Sequence, residues 1–402
     1  MISLVEGKIT YNYNQCQQCG ACYAICPKSA IELESLENGL CNIWINNEKC
    51  ILCKRCINVC PSRRKTSDYY FETLSTKRYY LASNTDPDIR KNSSSGGVCK
   101  TLIIESLNKS IVNAVYSLRK LDTYPSAEGE FFSQSNIPDY NEIPNSVYHS
   151  IMACKELRKV EKTDTLMLIG TSCQLYALEK SLKGRFNNLI KVCIFCKQQK
   201  SLDCTYWLAK LMRVKLPEKN SIKTQYRGGG WPGTLRIMNG AIKWEKAAAL
   251  PFGRRLWCVP GCDLCGDPFG IETDADVTLM DPWGVCSSNE LGDTLVIVHT
   301  EKGRQLIENT PSLTSKKVTF DECRKALGLI DVWRKRQLIP YFENKPISDM
   351  VKKAGDSEMK QRSFFERILV SLPRMPFVFY RVLNKLVPIK RNHILKNNQY
   401  EC

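Results

Sequence analysis

The chain reads CQQCGACYAICP at residues 16–27 and CILCKRCINVCP at residues 50–61, two copies of the pattern Cys-x2-Cys-x2-Cys-x3-Cys-Pro. Three thiols on a tight turn can converge on one iron–sulfur cube, while the fourth thiol follows one helical turn later. This spacing therefore predicts two [4Fe-4S] clusters near the amino terminus.

The fourth cysteine of each run is expected to reach the cluster held by the other run. This crossing assigns one cluster to Cys16, Cys19, Cys22 and Cys60, and the other to Cys50, Cys53, Cys56 and Cys26. The segment resembles the bacterial two-cluster ferredoxins, and residues 30–33 and 42–45 predict the hairpin found between their cysteine runs. Residues 1–66 are thus interpreted as a ferredoxin module.

Two other uses of clustered cysteines fit less well. Cys-x2-Cys pairs also bind structural zinc, but a zinc ion takes four ligands and leaves no role for a third cysteine in each run. A disulfide framework requires an oxidising compartment, and the first residues, MISLVEGKIT, have neither the basic nor the apolar region of a signal peptide. Reduced cysteines and a cytoplasmic location, at most peripheral to a membrane, are expected.

The length and charge of the chain limit its partners. At 402 residues the chain is sized for two or three domains. Its formal net charge is +17, and this falls to about +13 or +11 when two or three cubes, each carrying about two negative charges, are bound. The positive charge that remains suits binding to an acidic redox partner, an anionic cofactor or a membrane surface. With three histidines and no nucleic-acid-reading motif, no nucleic acid partner is expected.

Two strand-loop-helix units follow in the middle of the chain. Residues 165–170 and 189–195 are apolar runs of strand length, each followed by a loop and a helical pattern. Such units form neighbouring parallel strands, and ligands bind beyond their carboxyl ends, so Cys173 and Cys196 are expected side by side. Alternation over residues 70–82 also predicts strand. The fold class predicted is α+β, with the ferredoxin module followed by an α/β domain that has a mixed, partly parallel sheet.

Other loops contain further candidate residues. The loop SSSGG at residues 93–97 opens onto an apolar helix, where its N–H groups either bind phosphate oxygens or simply cap the helix. The loop YRGGGWPG at residues 226–233 is either a lid over a ligand or a turn. A turn-rich stretch also supplies Cys258, Cys262 and Cys265.

The chain resembles the beta subunits of coenzyme F420 hydrogenases and dehydrogenases. The motifs are SSSGGV (93–98), IGTSCQ (169–174), IFC (194–196), YRGGGWPG (226–233), CDLC (262–265), ADVTLMDPWG (275–284) and VIVHTEKG (296–303). The resemblance covers residues 1–310 and implies FAD close to a third [4Fe-4S] cluster. The ligands it implies are Cys173, Cys196, Cys262 and Cys265, with Cys258 in reserve. The alternative interpretation is that these late cysteines bind zinc in a knuckle or are inert thiols in the core.

The resemblance also implies which residues contact the flavin. These are Ser93, Ser94, Ser95, Gly96 and Gly97 at the pyrophosphate, and Gly170, Thr171, Asp281, Trp283 and Gly284 beside the ring. The chain departs from many relatives at Ser172, Met280 and residues 197–198, on the expected substrate side. Lys197 and His149 are titratable residues without an assigned role, so no catalytic residue is predicted.

The carboxyl-terminal part is predicted as a basic tail, residues 356–402, after a flavin and iron–sulfur domain at residues 67–355. Residues 356–361 are interpreted as a linker, and Pro373 and Pro376 separate two short helices in which apolar residues alternate with Arg and Lys. Charges recur too often for a transmembrane span. Such a pair suits a membrane surface or a partner groove, or it packs against its own domain.

Together these features predict an iron–sulfur flavoprotein oxidoreductase. Clusters carry single electrons whereas most organic substrates take two, and a flavin can mediate between them. Electrons would pass between the clusters and FAD to reduce or oxidise a small substrate or a deazaflavin-like cofactor. The expected partner is a redox protein or small electron carrier. The alternatives are an electron-transfer subunit of a larger complex and, from resemblance alone, a reductase in surface polysaccharide biosynthesis.

Overall fold

The computed structural model of the protein describes residues 1–64, 66–248, 250–285, 290–372, 375–397 and 399–400. The amino-terminal module contains β1 (Ile2–Val5), β2 (Lys8–Tyr11), α1 (Ala21–Ile25), β3 (Ile31–Ser35), β4 (Cys41–Ile45) and α2 (Arg55–Asn58). β1 pairs with β2 and β3 pairs with β4, both antiparallel. The hairpin predicted between the two cysteine runs is therefore confirmed.

The large domain is built on a mixed sheet, which in the described residues has eight strands in the order β15-β5-β14-β13-β9-β8-β6-β7. The remaining strands of the chain are β5 (Arg78–Asn84), β6 (Ala114–Lys120), β7 (Ala127–Ser133), β8 (Thr165–Gly170), β9 (Asn188–Ile194), β10 (Thr224–Gln225), β11 (Thr234–Ile237), β12 (Gly240–Lys243), β13 (Val277–Met280), β14 (Thr294–Val298) and β15 (Leu313–Val318). β6, β8, β9 and β13 are mutually parallel along the sheet, whereas the outer pairs are antiparallel. The predicted α+β class and partly parallel sheet are confirmed.

Helices cover this sheet and form the carboxyl-terminal region. They are α3 (Tyr70–Ser75), α4 (Pro87–Lys91), α5 (Val98–Asn108), α6 (Ser172–Leu182), α7 (Leu202–Leu211), α8 (Trp244–Ala248), α9 (Glu301–Glu308), α10 (Phe320–Leu327), α11 (Leu329–Phe342), α12 (Asp349–Ser371), α13 (Phe377–Leu386) and α14 (Arg391–Ile394). The strand predicted at residues 70–75 is wrong. Tyr70 and Leu74 are both fully buried on one face of α3, because a spacing of four residues returns to the same side of a helix.

The ferredoxin module shares its core with the large domain. Ala21 and Ala24 of α1 pack in one buried cluster with Leu175 and Leu178 of α6. Small side chains let the two helices approach closely, and Thr171, the capping residue just before α6, forms a capping box with Gln174. The packing fixes the first cysteine run against the carboxyl end of β8.

The carboxyl-terminal region differs from its prediction. Residues 356–361 are not a linker, because they lie inside the 23-residue helix α12, where Ala354 and Phe365 are fully buried. The predicted break is present, since α12 ends at Ser371 and α13 begins at Phe377 directly after Pro376, whereas Pro373 lies outside the described residues. The first of the two predicted short helices is instead the end of the long α12. In the part of the chain that the structure describes, no helix combines the length and apolarity needed to cross a membrane.

Candidate functional site

Two small cavities in the ferredoxin module are lined by the cysteines of the two runs. One is lined by Cys16, Cys19, Cys22 and Cys60. The other is lined by Cys26, Cys50, Cys53 and Cys56. Each cavity takes three thiols from one run and the fourth from the other run, which is the grouping predicted from the spacing.

The thiols of each cavity lie close enough to influence one another. Burial raises the pKa of Cys22, and the neighbouring thiols of Cys19, Cys16 and Cys60 raise it further. In the described residues, no three His, Cys, Asp or Glu side chains converge on a position for a single metal ion. The thiols instead surround a space, and iron bound there would supply the positive charge that adjacent thiolates require.

The first of these cavities faces the large domain. The Cys154 thiol lies close enough to Cys19 to lower the Cys19 pKa, and the Cys154 N–H donates to the Cys19 carbonyl over 2.8 Å. The Gly261 N–H donates to the Cys16 carbonyl over 3.0 Å. A Cβ at position 261 would lie 2.3 Å from the carbonyl carbon of Cys16. Only glycine therefore allows the two backbones this approach.

Four further thiols meet beyond the carboxyl ends of β8 and β9. Burial raises the pKa of Cys173, and the thiols of Cys265 and Cys196 raise it further. Burial followed by the thiols of Cys262 and Cys265 raises the pKa of Cys196 to about 12. These are the four cysteines implied by the family resemblance, and the structure brings them together. That they hold a third cluster stays a proposal.

Groups that favour negative charge surround these thiols. The Arg64 guanidinium lies 3.6 Å from the sulfur of Cys265 and donates to the Ser172 hydroxyl over 2.6 Å. Burial alone would lower the pKa of Arg64, but Cys265 and two nearby carboxylates raise it. The Gln199 N–H points at the sulfur of Cys262 over 3.3 Å. A fixed cation and a backbone N–H group stabilise thiolate ligands in this way.

Cys258, the reserve ligand, has polar partners of its own. Its sulfur lies 2.8 Å from the Gln198 side-chain oxygen and 3.0 Å from the Arg255 carbonyl, and 3.5 Å from the ammonium of the buried Lys200. It is close enough to raise the pKa of Cys262. Cys173 also has a polar partner, the Thr171 hydroxyl at 3.2 Å, so these contacts do not choose between the two thiols and the fourth ligand stays a prediction.

A pocket of about 590 Å³ opens at the same edge of the sheet, within the size range of cofactor sites. Most of the residues implied for the flavin line it, namely Ser93, Ser94, Ser95, Gly97, Gly170, Thr171, Asp281 and Trp283. Gly96 and Gly284 lie outside this lining. Gly96 packs behind the loop, where a Cβ would come within 2.5 Å of the Ala82 carbonyl oxygen, and Gly284 has a φ of +78° against Lys325. They shape the loops rather than contact the pocket.

Sequence analysis missed Arg227, whose buried side chain supports the pocket wall. Its guanidinium pairs with both carboxylate oxygens of Asp281, over 2.7 and 3.2 Å, and donates to the Ser94 carbonyl over 2.6 Å. The Trp231 ring lies 4.7 Å from that of Trp283. The loop at residues 226–233 is thus packed onto two pocket-lining loops. Sequence analysis singled out this loop as a motif but assigned no role to its arginine.

The two titratable residues without an assigned role occupy different environments. The ring nitrogens of His149 lie 2.7 Å from the Tyr226 hydroxyl and 2.8 Å from the Pro125 carbonyl, and burial lowers the His149 pKa to about 4. His149 is therefore a neutral core residue. Lys197 lines the pocket and lies 3.7 Å from Asp331, and burial lowers its pKa.

The carboxyl-terminal helices complete the pocket. Its wall includes Asp331, Val332 and Lys335 of α11 and Arg391 of α14. The Lys335 ammonium donates to the carbonyl of Lys197 over 2.7 Å, which holds α11 against the loop after β9. No pattern in the sequence predicted these residues as site residues.

A buried ion network connects these helices to the CDLC motif. Glu358 accepts from Arg391 over 2.5 Å, lies 3.4 Å from Arg255 and also pairs with Arg362. Arg362 in turn donates to Asp263, inside the motif, over 2.8 Å. Burial would raise the pKa of Glu358, but the three arginines outweigh it and lower the pKa to about 2. The network therefore couples the position of α12 to that of the cysteine loop.

Comparisons with known proteins agree with this arrangement. Residues 163–322 match the family described as the C terminus of the beta subunit of coenzyme F420 hydrogenase/dehydrogenase. Residues 15–64 and residues 42–99 match two families that are each described as a 4Fe-4S dicluster domain.

Individual relatives are distant. An uncharacterized protein of Methanocaldococcus jannaschii is 21% identical over 78% of this chain and 90% of its own length. One of the subunits of the F420H2 dehydrogenase of Methanosarcina mazei is 21% identical over 54% of this chain and 63% of its own length. A chain of the F420-reducing [NiFe] hydrogenase complex of Methanosarcina barkeri is 14% identical, with 69% of this chain and 97% of that chain covered and a TM-score of 0.48. Residues 163–322 thus belong to the family of the C terminus of coenzyme F420 hydrogenase/dehydrogenase beta subunits, and the chain carries an N-terminal 4Fe-4S dicluster domain.

Proposed function

We propose that the protein is an iron–sulfur flavoprotein oxidoreductase in which electrons pass between the ferredoxin clusters and FAD by way of a third [4Fe-4S] cluster. The observation that carries the proposal is the place of Cys196. Its thiol belongs to the group of four neighbouring cysteines, and the same residue lines the 590 Å³ pocket. A cluster held by these thiols would adjoin the pocket's ligand.

The lining of the pocket suits FAD. The loop at residues 93–97 precedes α5, and Lys100 in the first turn of that helix also lines the pocket, with its ammonium donating to the Tyr140 carbonyl over 3.1 Å. Burial lowers the pKa of Lys100 to about 8, so the side chain is mostly cationic at neutral pH and suits a pyrophosphate. Bound FAD would accept single electrons and transfer two together. Arg227 would hold Asp281 and Ser94 in fixed positions around it.

The buried contacts support an order for the redox centres. Cys154 is fully buried, donates its backbone N–H to the Cys19 carbonyl at the first cavity and lies close enough to Cys173 for that thiol to raise the Cys154 pKa. The first cavity therefore adjoins the proposed third cluster. The second cavity would be the outermost centre, where a partner exchanges electrons.

The surface over the second cavity suits an acidic redox protein. Ile51 and Leu52 are 57% and 45% exposed, and Cys53 is also exposed. Lys54 and Arg55 are exposed beside them. A small apolar tip with adjacent cations would attract and dock an acidic electron carrier.

Anaerobic purification with iron, sulfide and flavin analysis tests the proposal. The parent chain should carry about twelve iron atoms, four per cluster, together with FAD. Cys196→Ser should retain about eight iron atoms, because it affects only the third cluster. The matched control is Cys204→Ser, which alters a buried thiol of α7 and should keep all three clusters. A parent chain with eight iron atoms and no flavin would refute the proposal.

The alternative is that the chain is an electron-transfer subunit of a larger complex. The relationship to a subunit of F420H2 dehydrogenase supports either this role or direct oxidation of a deazaflavin-like substrate. Reduction of a one-electron dye by the isolated chain with reduced coenzyme F420 would favour the enzyme. Dye reduction only after addition of a partner protein would favour the electron-transfer role. A reductase role in surface polysaccharide biosynthesis rests on the family resemblance alone.

A further inference from the structure

The last long helix before the carboxyl terminus, α13 (Phe377–Leu386), has apolar residues on two opposite faces. Its inner face is explained by packing: Tyr380 is 1% exposed, its ring lies 5.6 Å from that of Trp207, and Leu383 and Val387 pack in the same cluster. The helix is therefore anchored to the domain through one side. Its other side faces solvent.

The outer face is apolar where a solvated helix is normally polar. Val378, Val382 and Leu386 are 66%, 48% and 74% exposed, and their spacing of four residues places them in one row. Leu372, just before α13, is another exposed apolar residue, at 43%. The Tyr380 hydroxyl donates to its carbonyl, which keeps it beside the helix. Packing inside the described chain does not account for this row.

The charges beside the row have one sign. Arg381 and Lys385 are exposed and lie side by side along one edge of the apolar row, being four residues apart, and α13, with the sequence FVFYRVLNKL, has no acidic residue. We propose that this outer face binds the surface of an anionic lipid membrane, with the apolar row entering the interface and the two cations contacting lipid phosphates. The helix would lie flat on the membrane, since its inner face stays packed on the domain.

Self-association explains the same face less well. In a two-fold symmetric contact each helix meets the same face of its copy. Arg381 and Lys385 of one chain would then lie near the same cations of the other, with no carboxylate on α13 to offset them. A membrane rich in anionic headgroups supplies that negative charge.

The test is co-sedimentation of the full-length protein with lipid vesicles in oxygen-free buffer. The vesicles contain either phosphatidylcholine alone or phosphatidylcholine mixed with phosphatidylglycerol. We expect at least tenfold more binding to the anionic vesicles at low salt, and a decrease as salt is added. The triple variant Val378→Ser, Val382→Ser, Leu386→Ser should lose most of this binding.

Matched variants separate the apolar and charged contributions from general effects. Arg381→Gln with Lys385→Gln should reduce binding to anionic vesicles about tenfold and leave the weak binding to phosphatidylcholine unchanged. Leu4→Ser with Val5→Ser alters residues 41% and 49% exposed in the ferredoxin module and should bind like the parent chain. Iron content and circular dichroism should be the same in all variants.

Several results would overturn the inference. One is a parent chain that stays in the supernatant with both kinds of vesicle. Another is a triple variant that binds anionic vesicles as well as the parent. A parent dimer that dissociates in the triple variant, without any difference in lipid binding, would assign the face to a second copy. None of these results depends on whether FAD or a third cluster is bound.

Discussion

Replacing Glu358 by glutamine should destabilise the protein strongly and release the proposed third cluster. Glu358 is 5% exposed and is shared by Arg255, Arg362 and Arg391. Lowering its pKa from 4.5 to about 2 corresponds to about 3 kcal/mol of stability at neutral pH. Removing one partner of a buried ion pair typically costs about 3–5 kcal/mol. The two figures agree, and the amide keeps the size of the side chain.

The assay is thermal unfolding at a fixed scan rate without oxygen, with iron analysis of the same samples. For a domain of more than 300 residues, about 3 kcal/mol should lower the Tm by roughly 4 °C. Iron should fall by about four atoms per chain, because Asp263 in the CDLC motif shares Arg255 and Arg362 with Glu358. The stabilisation is complete above about pH 4.5 and is lost as the pH falls toward 2, so the variant should lack this dependence.

The matched control is Glu301→Gln. Glu301 also pairs with arginines, Arg304 and Arg78, but its side chain is 56% exposed. Water screens such a pair, and its removal should change the Tm very little. Equal Tm changes in Glu358→Gln and Glu301→Gln would show that the buried network does not hold the cysteine loop.

Two other predictions follow from the contacts. Gly261→Ala should lower the iron content of the ferredoxin module, because a Cβ at position 261 would lie 2.3 Å from the Cys16 carbonyl carbon. The control variant Gly184→Ala should retain the iron, because no atom lies within 4 Å of a Cβ at that position. The affinity of the apoprotein for FAD, measured by fluorescence titration, should fall as the pH rises through about 8, since Lys100 then loses its charge. Lys100→Met should remove that pH dependence, whereas the exposed Lys109→Met should keep it; a pH-independent parent would contradict the assignment.

The features predicted correctly from sequence were those encoded over short distances. The two crossed groups of thiols follow from turn geometry within each cysteine run, and the run supplies its own ligand spacing. The strands β8 and β9 were visible as continuous apolar runs, and their parallel pairing places Cys173 and Cys196 at one edge. In both cases residues close together in the sequence determine the three-dimensional arrangement.

The features that were missed depend on contacts between distant parts of the chain. Lys335 and Arg391 reach the pocket only because α11 and α14 pack back on the domain, and nothing in their local sequence marks that wall. Residues 356–361 were predicted to be a linker because they are polar. Glu358 within them is nevertheless buried, and it pairs with three arginines. A polar residue that is satisfied inside a network has the same sequence signature as one in solvent.

The ferredoxin module is joined to the large domain too closely to behave as a separate carrier. Ala21 and Ala24 contribute to the same buried cluster as Leu175 of α6, while Gly261 contacts the backbone of Cys16. A shared core of this kind fixes distance and orientation, because neither part can move without exposing apolar surface. Electrons in the proposed arrangement would pass between fixed centres, and a redox protein would approach at the exposed surface around Ile51. The choice of an external partner would therefore be made there, away from the pocket.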